Sequence, residues 1–369
     1  MTQGTIHVAF MVGSLRMGGA ERMMINTANE LSKHARVSFL SLTGGTALKD
    51  ELNDNVRLYS FKKKNSLSSI PALLEFIRNE KPAVLISTQI HVNLIAVMLK
   101  VFFGVKTKIV LREATSPGSH FIMHRGARWK LVNIAMKWLY PKSDSVVAIC
   151  DAVKINLIES GYTSASKVVV IYNPVINEKF RIAEAEVIEH PFFNSNVPVY
   201  ISVARLAPAK NFPLLIEAFS LVLKKRDARL IIIGEGGERK KLEKLIGEFD
   251  LQEKIFLTGE IVNPYPWMRK ANTYVLSSLY EGLPNALIEG MACGLQLVSV
   301  DCPGGSKEIL EDGKCGRLVK INDPQLLADA MIESLDRPVD KKILEVSAGR
   351  FEAEVIGHKY FSLVTQLIQ

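Results

Sequence analysis

The chain has 369 residues, 48% of them hydrophobic and 23% charged, and a formal net charge of +8. This length exceeds that of one usual hydrophobic core and favours two domains, and the balanced composition excludes a disordered or low-complexity protein. Every apolar run is shorter than the roughly 18 residues that a spanning helix needs, so we expect no transmembrane segment.

The cysteines and the first apolar run bear on the cellular compartment. Cys150, Cys293, Cys302 and Cys315 form no CxxC pair and have no histidine at ligand spacing, which argues against a zinc site and a disulfide framework. Residues 6–12 have no basic segment before them and predict a first strand rather than a signal peptide. We therefore expect a cytoplasmic protein.

In the first half of the chain, short apolar runs alternate with helical patterns. Residues 6–12 are followed by a glycine-containing loop and a helix, and residues 69–80 predict another helix. Further runs rich in β-branched residues predict strands at 37–42, 84–87, 108–111 and 145–149. Strands that alternate with helices indicate a parallel sheet covered on both faces.

Turn-forming residues interrupt this pattern between residues 173 and 198, where we place the interdomain linker. The pattern then restarts, with strands predicted at 199–203, 229–233, 254–257, 273–276, 297–300 and 316–319 and helices at 212–225, 284–293 and 324–335. We predict a first domain at 1–176, a second at 177–350, and a terminal helix within 351–369 that packs back on the first domain. Two doubly wound sheets facing each other would place their ligand-binding strand ends across a cleft, where we expect the active site.

The segment from Glu281 to Glu289 directly follows the predicted strand 273–276. Pro284 suits the first turn of a helix. The unpaired backbone N–H groups of the helix start that follows Gly282 suit a diphosphate. The two carboxylates flanking this helix start could accept hydrogen bonds from ribose and hexose hydroxyls. The alternative is that Glu281 complements the helix dipole and Glu289 is a solvated surface residue.

Arg205 and Lys210 follow the predicted strand 199–203 and fall on the same sheet edge as that segment. Together they could neutralise a diphosphate and stabilise it as it leaves. Taken alone, such a pair is more often a surface feature.

These motifs together closely resemble the family-4 glycosyltransferases of the GT-B fold, whose second domain carries G/A-R-L-x-x-x-K-N followed by E-G-x-P-x-x-x-x-E. The resemblance extends along the chain, through Gly18-Gly19-Ala20-Glu21, Tyr172-Asn173-Pro174-Val175, Gly234-Glu235-Gly236 and the run from Cys302 to Ile309. It implies an α/β protein with two Rossmann-like domains facing across a cleft.

The resemblance also implies a role for each matching donor residue. Glu289 would bind the nucleotide ribose, Glu281 the donor sugar, and Arg205 with Lys210 the diphosphate. The backbone N–H groups of the helix-start segment would help to hold the diphosphate, at Gly282, Leu283, Pro284 and Asn285. Gly18 and Gly19 would admit the diphosphate and sugar. The nucleotide base would lie near residues 258–263, at Ile261. Transfer would retain the anomeric configuration without a cofactor or metal, with Arg205 and Lys210 taking the metal's role.

The acceptor side departs from the family pattern. Many members have a histidine after the glutamate on a strand of the first domain, whereas this chain has Glu113 followed by Ala114. We expect Glu113 to orient the acceptor hydroxyl, with His120 or His124 as alternatives from the next segment.

Residues 119–142 mix aromatic and basic side chains in a helix-compatible pattern. This segment is either an interfacial membrane helix or an ordinary amphipathic core helix. Residues 1–180 hold 23 Lys+Arg against 12 Asp+Glu and include the run Lys62-Lys63-Lys64, which favours contact with an anionic membrane. We expect peripheral binding on the cytosolic face of the inner membrane, and no nucleic-acid motif accompanies the charge.

The leading hypothesis is a bacterial-type hexosyltransferase that uses a UDP-sugar, with UDP-GalNAc, UDP-GlcNAc and UDP-Gal as candidates, and extends a lipid-linked or polysaccharide glycan. A sugar-nucleotide epimerase of the same fold and a non-catalytic nucleotide-sugar-binding scaffold subunit remain as alternatives.

Overall fold

A computed structural model of the protein describes residues 6–15, 18–45, 47–115 and 126–369. The chain divides into two compact units: unit 1 comprises Met1–Pro174 with Phe351–Gln369, and unit 2 comprises Val175–Arg350. The predicted boundary between residues 176 and 177 lies two residues beyond this division. Each unit is built on a parallel β-sheet with helices packed against it.

Unit 1 contains a seven-stranded sheet with strand order β3-β2-β1-β4-β5-β6-β7. Its strands are β1 His7–Val12, β2 Arg36–Ser41, β3 Val56–Ser60, β4 Val84–Thr88, β5 Lys108–Glu113, β6 Ser145–Ala148 and β7 Val168–Val170. The described helices of this part of the chain are α1 Gly19–Leu31, α2 Ile70–Glu80, α3 Ile90–Phe103, α4 Ala127–Leu139 and α5 Asp151–Glu159.

Every residue of the central strand β1 is buried, as expected for a parallel strand covered on both faces. Phe10 and Val12 share a core cluster with Met24 and Ala28 of α1. The terminal helix of the chain, Ala353–Ile368, packs against α1 and adds Ile356, Tyr360, Leu363 and Val364 to the same cluster.

Unit 2 contains a six-stranded sheet with strand order β10-β9-β8-β11-β12-β13. Its strands are β8 Val199–Val203, β9 Arg229–Ile233, β10 Ile255–Gly259, β11 Thr273–Leu276, β12 Gln296–Val300 and β13 Arg317–Val319. Its helices are α6 Glu178–Glu184, α7 Phe212–Leu223, α8 Arg239–Glu248, α9 Tyr265–Lys270, α10 Asn285–Ala292, α11 Ser306–Ile309, α12 Pro324–Asp336 and α13 Lys341–Ala348. The terminal helix Ala353–Ile368, which belongs to unit 1, is α14.

The structure differs from the sequence predictions at a few elements. Strands β3 and β7 are not predicted, because β3 is a partly exposed edge strand containing Arg57 and β7 has only three residues. The predicted linker contains helix α6, whose start is fixed by Asn177, since its side chain accepts a hydrogen bond of 2.8 Å from the Phe180 N–H. Pro284 is the N-cap of α10 rather than its first helical residue.

Gly234, which follows β9, holds two loops of unit 2 in close backbone contact. Its φ is +144°, and a Cβ built on it would lie 1.9 Å from the Ala204 carbonyl oxygen. The Gly234 N–H donates to the Gly259 carbonyl at 2.9 Å, and the Ala204 N–H donates to the Ile233 carbonyl at 3.0 Å. The loop that carries Arg205 and Lys210 is therefore positioned by a contact that only glycine permits.

Substituting Gly234→Ala should lower the free energy of unfolding by about 3 kcal/mol or more, because both the clash and the backbone conformation oppose a side chain. Gly237→Ala is the matched control, since a Cβ there meets no described atom within 4 Å, and should change stability by less than about 1 kcal/mol. Urea unfolding of the two variants tests this, and equal midpoints would contradict the close-packing assignment.

Candidate active site

The candidate site in unit 2 lies where the sheet's connections reverse direction. Strands β8 and β11 are neighbours, but the chain continues from β8 to β9 on one side and from β11 to β12 on the other. The two loops therefore diverge and leave a crevice at the carboxyl ends of the strands, the usual ligand position in such sheets. Arg205 and Lys210 belong to the first loop, and Glu281 belongs to the second.

An ion pair joins these two loops. Lys210 Nζ lies 2.6 Å from Glu281 Oε1, with the side chains 23% and 11% exposed. The same carboxylate oxygen accepts a hydrogen bond of 2.7 Å from Ser278 Oγ. Because both charges are largely withdrawn from water and share short hydrogen bonds, the pair is held more firmly than an exposed ion pair.

Backbone contacts fix the same two loops. Ser277 Oγ donates to the Lys210 carbonyl at 2.8 Å, and the Leu279 N–H donates to the Ala209 carbonyl at 2.8 Å. These bonds tie the main chain on both sides of the ion pair, so Lys210 and Glu281 are presented by a preformed scaffold.

Arg205 is exposed and lies near Tyr280, the residue before Glu281. Burial and the charge of Glu281 raise the pKa of Tyr280, while the Arg205 guanidinium opposes this shift. The predicted pair of cations and the predicted carboxylate are thus brought to one edge of the sheet.

The predicted phosphate-binding segment is anchored by the loop after β12. The Glu281 N–H donates to the Pro303 carbonyl at 2.9 Å, and the Gly305 N–H donates to the Gly282 carbonyl at 2.7 Å. Gly282, Leu283 and Pro284 are buried, and α10 begins at Asn285. The start of this helix, which is its positive end, therefore follows Glu281 closely in the chain.

Glu289 lies on α10 and is contacted from α9. Tyr265 Oη donates to Glu289 Oε1 at 3.4 Å, and the Tyr265 ring packs on Phe180 at 4.6 Å between centroids. The predicted base-binding segment 258–263 follows β10, with Ile261 partly exposed and Asn263 Nδ2 bonded to the Ala183 carbonyl at 2.9 Å.

In unit 1, Gly18 and Gly19 form the start of α1. Gly18 is the N-cap, and a Cβ on Gly19 would meet no described atom within 4 Å. The opening at Gly19 is compatible with the predicted approach of a ligand to the main chain.

Glu113, at the end of β5, lies in a buried hydrogen-bond network. Glu113 is only 2% exposed. Its Oε1 accepts hydrogen bonds from Asn93 Nδ2 at 2.7 Å and from Tyr140 Oη at 2.5 Å. The neighbouring Arg112 is also buried and donates through Nη2 to Asn173 Oδ1 at 2.5 Å. Glu113 thus contacts protein groups in this structure, and its predicted role in orienting the acceptor hydroxyl stays a prediction.

Burial raises the pKa of the Glu113 carboxyl from 4.5 to about 7, against the opposing effects of the Tyr140 and Asn93 hydrogen bonds and the Arg112 charge. Glu113 therefore changes protonation within the range of ordinary assays.

Sequence reasoning missed the partners of Glu113, namely Asn93 and Tyr140, because they come from distant elements. His120 and His124 lie outside the described residues. Among the residues that the structure describes, no three His, Cys, Asp or Glu side chains form a group suited to a metal ion.

Two family models match the chain. The model described as Glycosyltransferase Family 4 matches residues 17–179, and the model described as Glycosyl transferases group 1 matches residues 184–347. An uncharacterized glycosyltransferase of Methanocaldococcus jannaschii is 31% identical over 280 residues, which are 71% of this chain and 68% of the relative.

A second relative is the N-acetylgalactosamine-N,N'-diacetylbacillosaminyl-diphospho-undecaprenol 4-alpha-N-acetylgalactosaminyltransferase of Campylobacter jejuni. It is 32% identical over 234 residues, which are 63% of this chain. The match spans 61% of the length of the Campylobacter enzyme.

Among solved structures, the Anabaena protein HepE in complex with UDP and glucose matches with a TM-score of 0.77 at 18% identity, over 98% of this chain and 100% of the other. At this identity the likeness shows the fold alone, which is the α/β GT-B fold with two Rossmann-like units that the sequence predicts.

The raised pKa of Glu113 predicts a pH-dependent stability. The folded state holds this proton more tightly than the unfolded chain, so the stabilisation is complete below about pH 4.5 and is lost as the pH rises through about 7. Between pH 5 and pH 8 the wild type should lose roughly 2 to 3 kcal/mol more unfolding free energy than Glu113→Gln, whose amide does not titrate.

Urea unfolding of both proteins at pH 5, 6, 7 and 8 measures this difference. The control is Glu75→Gln, which removes an exposed carboxylate from α2 and should follow the wild-type profile. Parallel profiles for wild type and Glu113→Gln would show that Glu113 does not hold a proton in this range.

Proposed function

The chain belongs to glycosyltransferase family 4, and from that membership we propose that it is a retaining, metal-independent glycosyltransferase that extends a lipid-linked or polysaccharide glycan. The donor is a UDP-linked hexose or N-acetylhexosamine, with UDP-GalNAc, UDP-GlcNAc and UDP-Gal as the candidates to test. The relatives support this proposal, since the Campylobacter enzyme is named for a diphospho-undecaprenol acceptor and an alpha linkage. HepE was solved with UDP and glucose.

The observation that carries the proposal is the Lys210–Glu281 ion pair at the reversal point of the second sheet. A sugar diphosphate carries an anion and several hydroxyl groups, which are the chemical complements of a cation and a carboxylate held side by side. Arg205 adds a second cation at the same edge, and the start of α10 adds a positive dipole end.

In the proposed reaction, the bond between the anomeric carbon and the UDP oxygen breaks as the acceptor hydroxyl bonds to that carbon on the same face. The departing phosphate oxygen takes the acceptor proton, so no side chain need act as a strong base. Negative charge grows on the diphosphate, where Lys210 and Arg205 stabilise it in place of a metal ion. Glu289 and the segment around Ile261, both in unit 2, then hold the nucleoside.

Donor turnover with the purified protein tests the proposal. Each UDP-sugar is incubated with and without a polyprenyl-diphosphate glycan extract, in the presence of EDTA, and UDP release and product mass are measured. Release that depends on the extract supports a transferase, and NMR of the product's anomeric proton tests retention. An epimer formed without the extract, or no turnover with any donor and acceptor, would overturn the proposal.

Two variants test the site itself. Glu281→Gln should lower kcat by about 100-fold or more, because the carboxylate is lost from the reacting end of the donor. Lys210→Ala should lower kcat more than it raises the donor KM if its charge acts mainly on the departing diphosphate. The control Glu253→Gln removes an exposed carboxylate elsewhere in unit 2 and should keep wild-type rates; unchanged rates in Glu281→Gln would refute the site assignment.

We also propose that unit 1 binds the cytosolic face of an anionic membrane through an exposed apolar patch. Leu131, Ile134 and Trp138 lie on one face of α4 and are 67%, 63% and 50% exposed. Phe102, at the end of α3, packs on Trp138 at 5.7 Å between ring centroids. Leu139 and Met136 are buried instead, so the aromatic and aliphatic stripe of this helix serves partly as core and partly as surface.

Basic side chains surround this patch. Lys142 Nζ lies 5.1 Å from the Trp138 ring centroid, and Arg128, Lys130 and Lys137 are exposed on α4. Apolar side chains within a basic rim suit the boundary between headgroups and acyl chains of an anionic leaflet. None of the helices in the described ranges is both long and apolar enough to cross a bilayer.

Vesicle sedimentation tests this surface. The double variant Leu131→Ser/Ile134→Ser should bind phosphatidylglycerol vesicles at least roughly ten-fold more weakly than wild type, because two inserted side chains are lost. The control Val187→Ser/Val346→Ser removes two other exposed apolar side chains, both in unit 2. Equal binding by the two double variants would exclude the patch as the membrane contact.

A further inference from the structure

Tyr265, the first residue of α9, contacts two parts of unit 2 to which the proposed function assigns the donor nucleoside. Its Oη donates to Glu289 Oε1 at 3.4 Å, and its backbone N–H donates to Asn263 Oδ1 at 3.3 Å. Asn263 ends the segment 258–263, and Glu289 lies on α10. One residue thus joins the segment proposed for the base to the carboxylate proposed for the ribose.

Helix α6 holds the Tyr265 side chain in place. Phe180 of α6 is buried, and its ring lies 4.6 Å from the Tyr265 ring between centroids, with 60° between the ring planes. This tilted arrangement is a favourable one for aromatic pairs. Asn263 Nδ2 also donates to the Ala183 carbonyl of α6 at 2.9 Å, which ties the segment before Tyr265 to the same helix. The Tyr265 hydroxyl is therefore presented to Glu289 by a preformed support.

This contact gives the Glu289 carboxylate an orientation before a ligand arrives. A glutamate side chain is long and flexible, so ordering it during binding costs free energy. Glu289 is partly exposed on α10, and the hydroxyl of Tyr265 restricts its motion. A carboxylate offers about four acceptor positions, so it can accept from Tyr265 and from ligand hydroxyls together.

The length of the bond indicates how large its effect should be. At 3.4 Å it is longer than the usual O–H···O distance of about 2.7–2.8 Å. We therefore expect a moderate contribution to nucleotide affinity, smaller than that of Glu289 itself.

We propose that Tyr265 is a positioning residue, which orients Glu289 toward the ribose of the donor and thereby sets the preference for nucleotides that carry ribose hydroxyls. The inference rests on the proposed function, in which Glu289 holds the nucleoside. A site that accepts hydrogen bonds from hydroxyl groups rejects a ligand without them, because its acceptors lose water and gain no partner. Tyr265 strengthens this rejection by keeping the carboxylate where the ribose hydroxyls must lie.

The probes are UDP and 2′,3′-dideoxy-UDP, which lacks both ribose hydroxyls, and calorimetry measures their binding to the full-length protein. Wild type should bind UDP roughly ten-fold or more tightly than the dideoxy nucleotide. Tyr265→Phe removes the hydroxyl and keeps the ring that packs on Phe180. Its affinity for UDP should fall about five-fold, because a hydrogen bond to a charged group is lost. Its affinity for the dideoxy nucleotide should equal that of wild type.

A double-mutant cycle tests whether Tyr265 acts through Glu289. Glu289→Ala should lose most of the preference for UDP over the dideoxy nucleotide. Adding Tyr265→Phe to this variant should change UDP affinity by less than about two-fold, since the group that Tyr265 orients is already absent. The control Tyr200→Phe removes another tyrosine hydroxyl of unit 2, which donates to the Met331 carbonyl at 3.0 Å, and should bind both nucleotides as wild type does.

Several results would overturn the inference. These are a wild type that binds neither nucleotide or binds both equally, a Tyr265→Phe variant that keeps wild-type UDP affinity or loses the same factor for both nucleotides, and independent losses in the cycle. None of these measurements needs turnover. A protein that shows the expected binding pattern but transfers no sugar would contradict the proposed function and leave the role of Tyr265 standing.

Discussion

Both units depend on the same constraint, the reversal of strand order in a doubly wound parallel sheet. Crossover connections must leave β1 and β4 in opposite directions, and the same holds for β8 and β11. At these two places the loops cannot cover the strand ends. The Lys210–Glu281 pair occupies one of them, and a cavity beside Lys63 and Lys64 occupies the other.

The two units use buried polar groups differently. In unit 1, Arg112, Glu113, Asn93 and Tyr140 form a network withdrawn from solvent, where burial shifts the protonation of the carboxyl toward neutrality. In unit 2, the ion pair keeps part of its surface exposed. A network of the first kind fixes the end of β5, whereas a pair of the second kind can exchange partners with a ligand.

Most of the fold could be predicted from the sequence, because central strands such as β8 and β9 are short, nearly continuous apolar runs with turn residues on either side. The proposed donor site was predictable for a related reason: Arg205, Lys210 and Glu281 follow such strands, so topology alone brings them to one edge. The network around Glu113 was not, since Asn93 lies on α3 and Tyr140 in the turn after α4, and no local pattern specifies how these segments pack.

The ion pair between Lys210 and Glu281 also bears on which molecules the second unit will retain. A bare anion such as inorganic phosphate could draw Lys210 away only by leaving a largely buried carboxylate without its counter-charge. A molecule that brings an anion together with hydroxyl groups satisfies both side chains at once. On the proposed function, the pair would therefore penalise ligands that match one partner alone and would favour intact sugar nucleotides over simple phosphates.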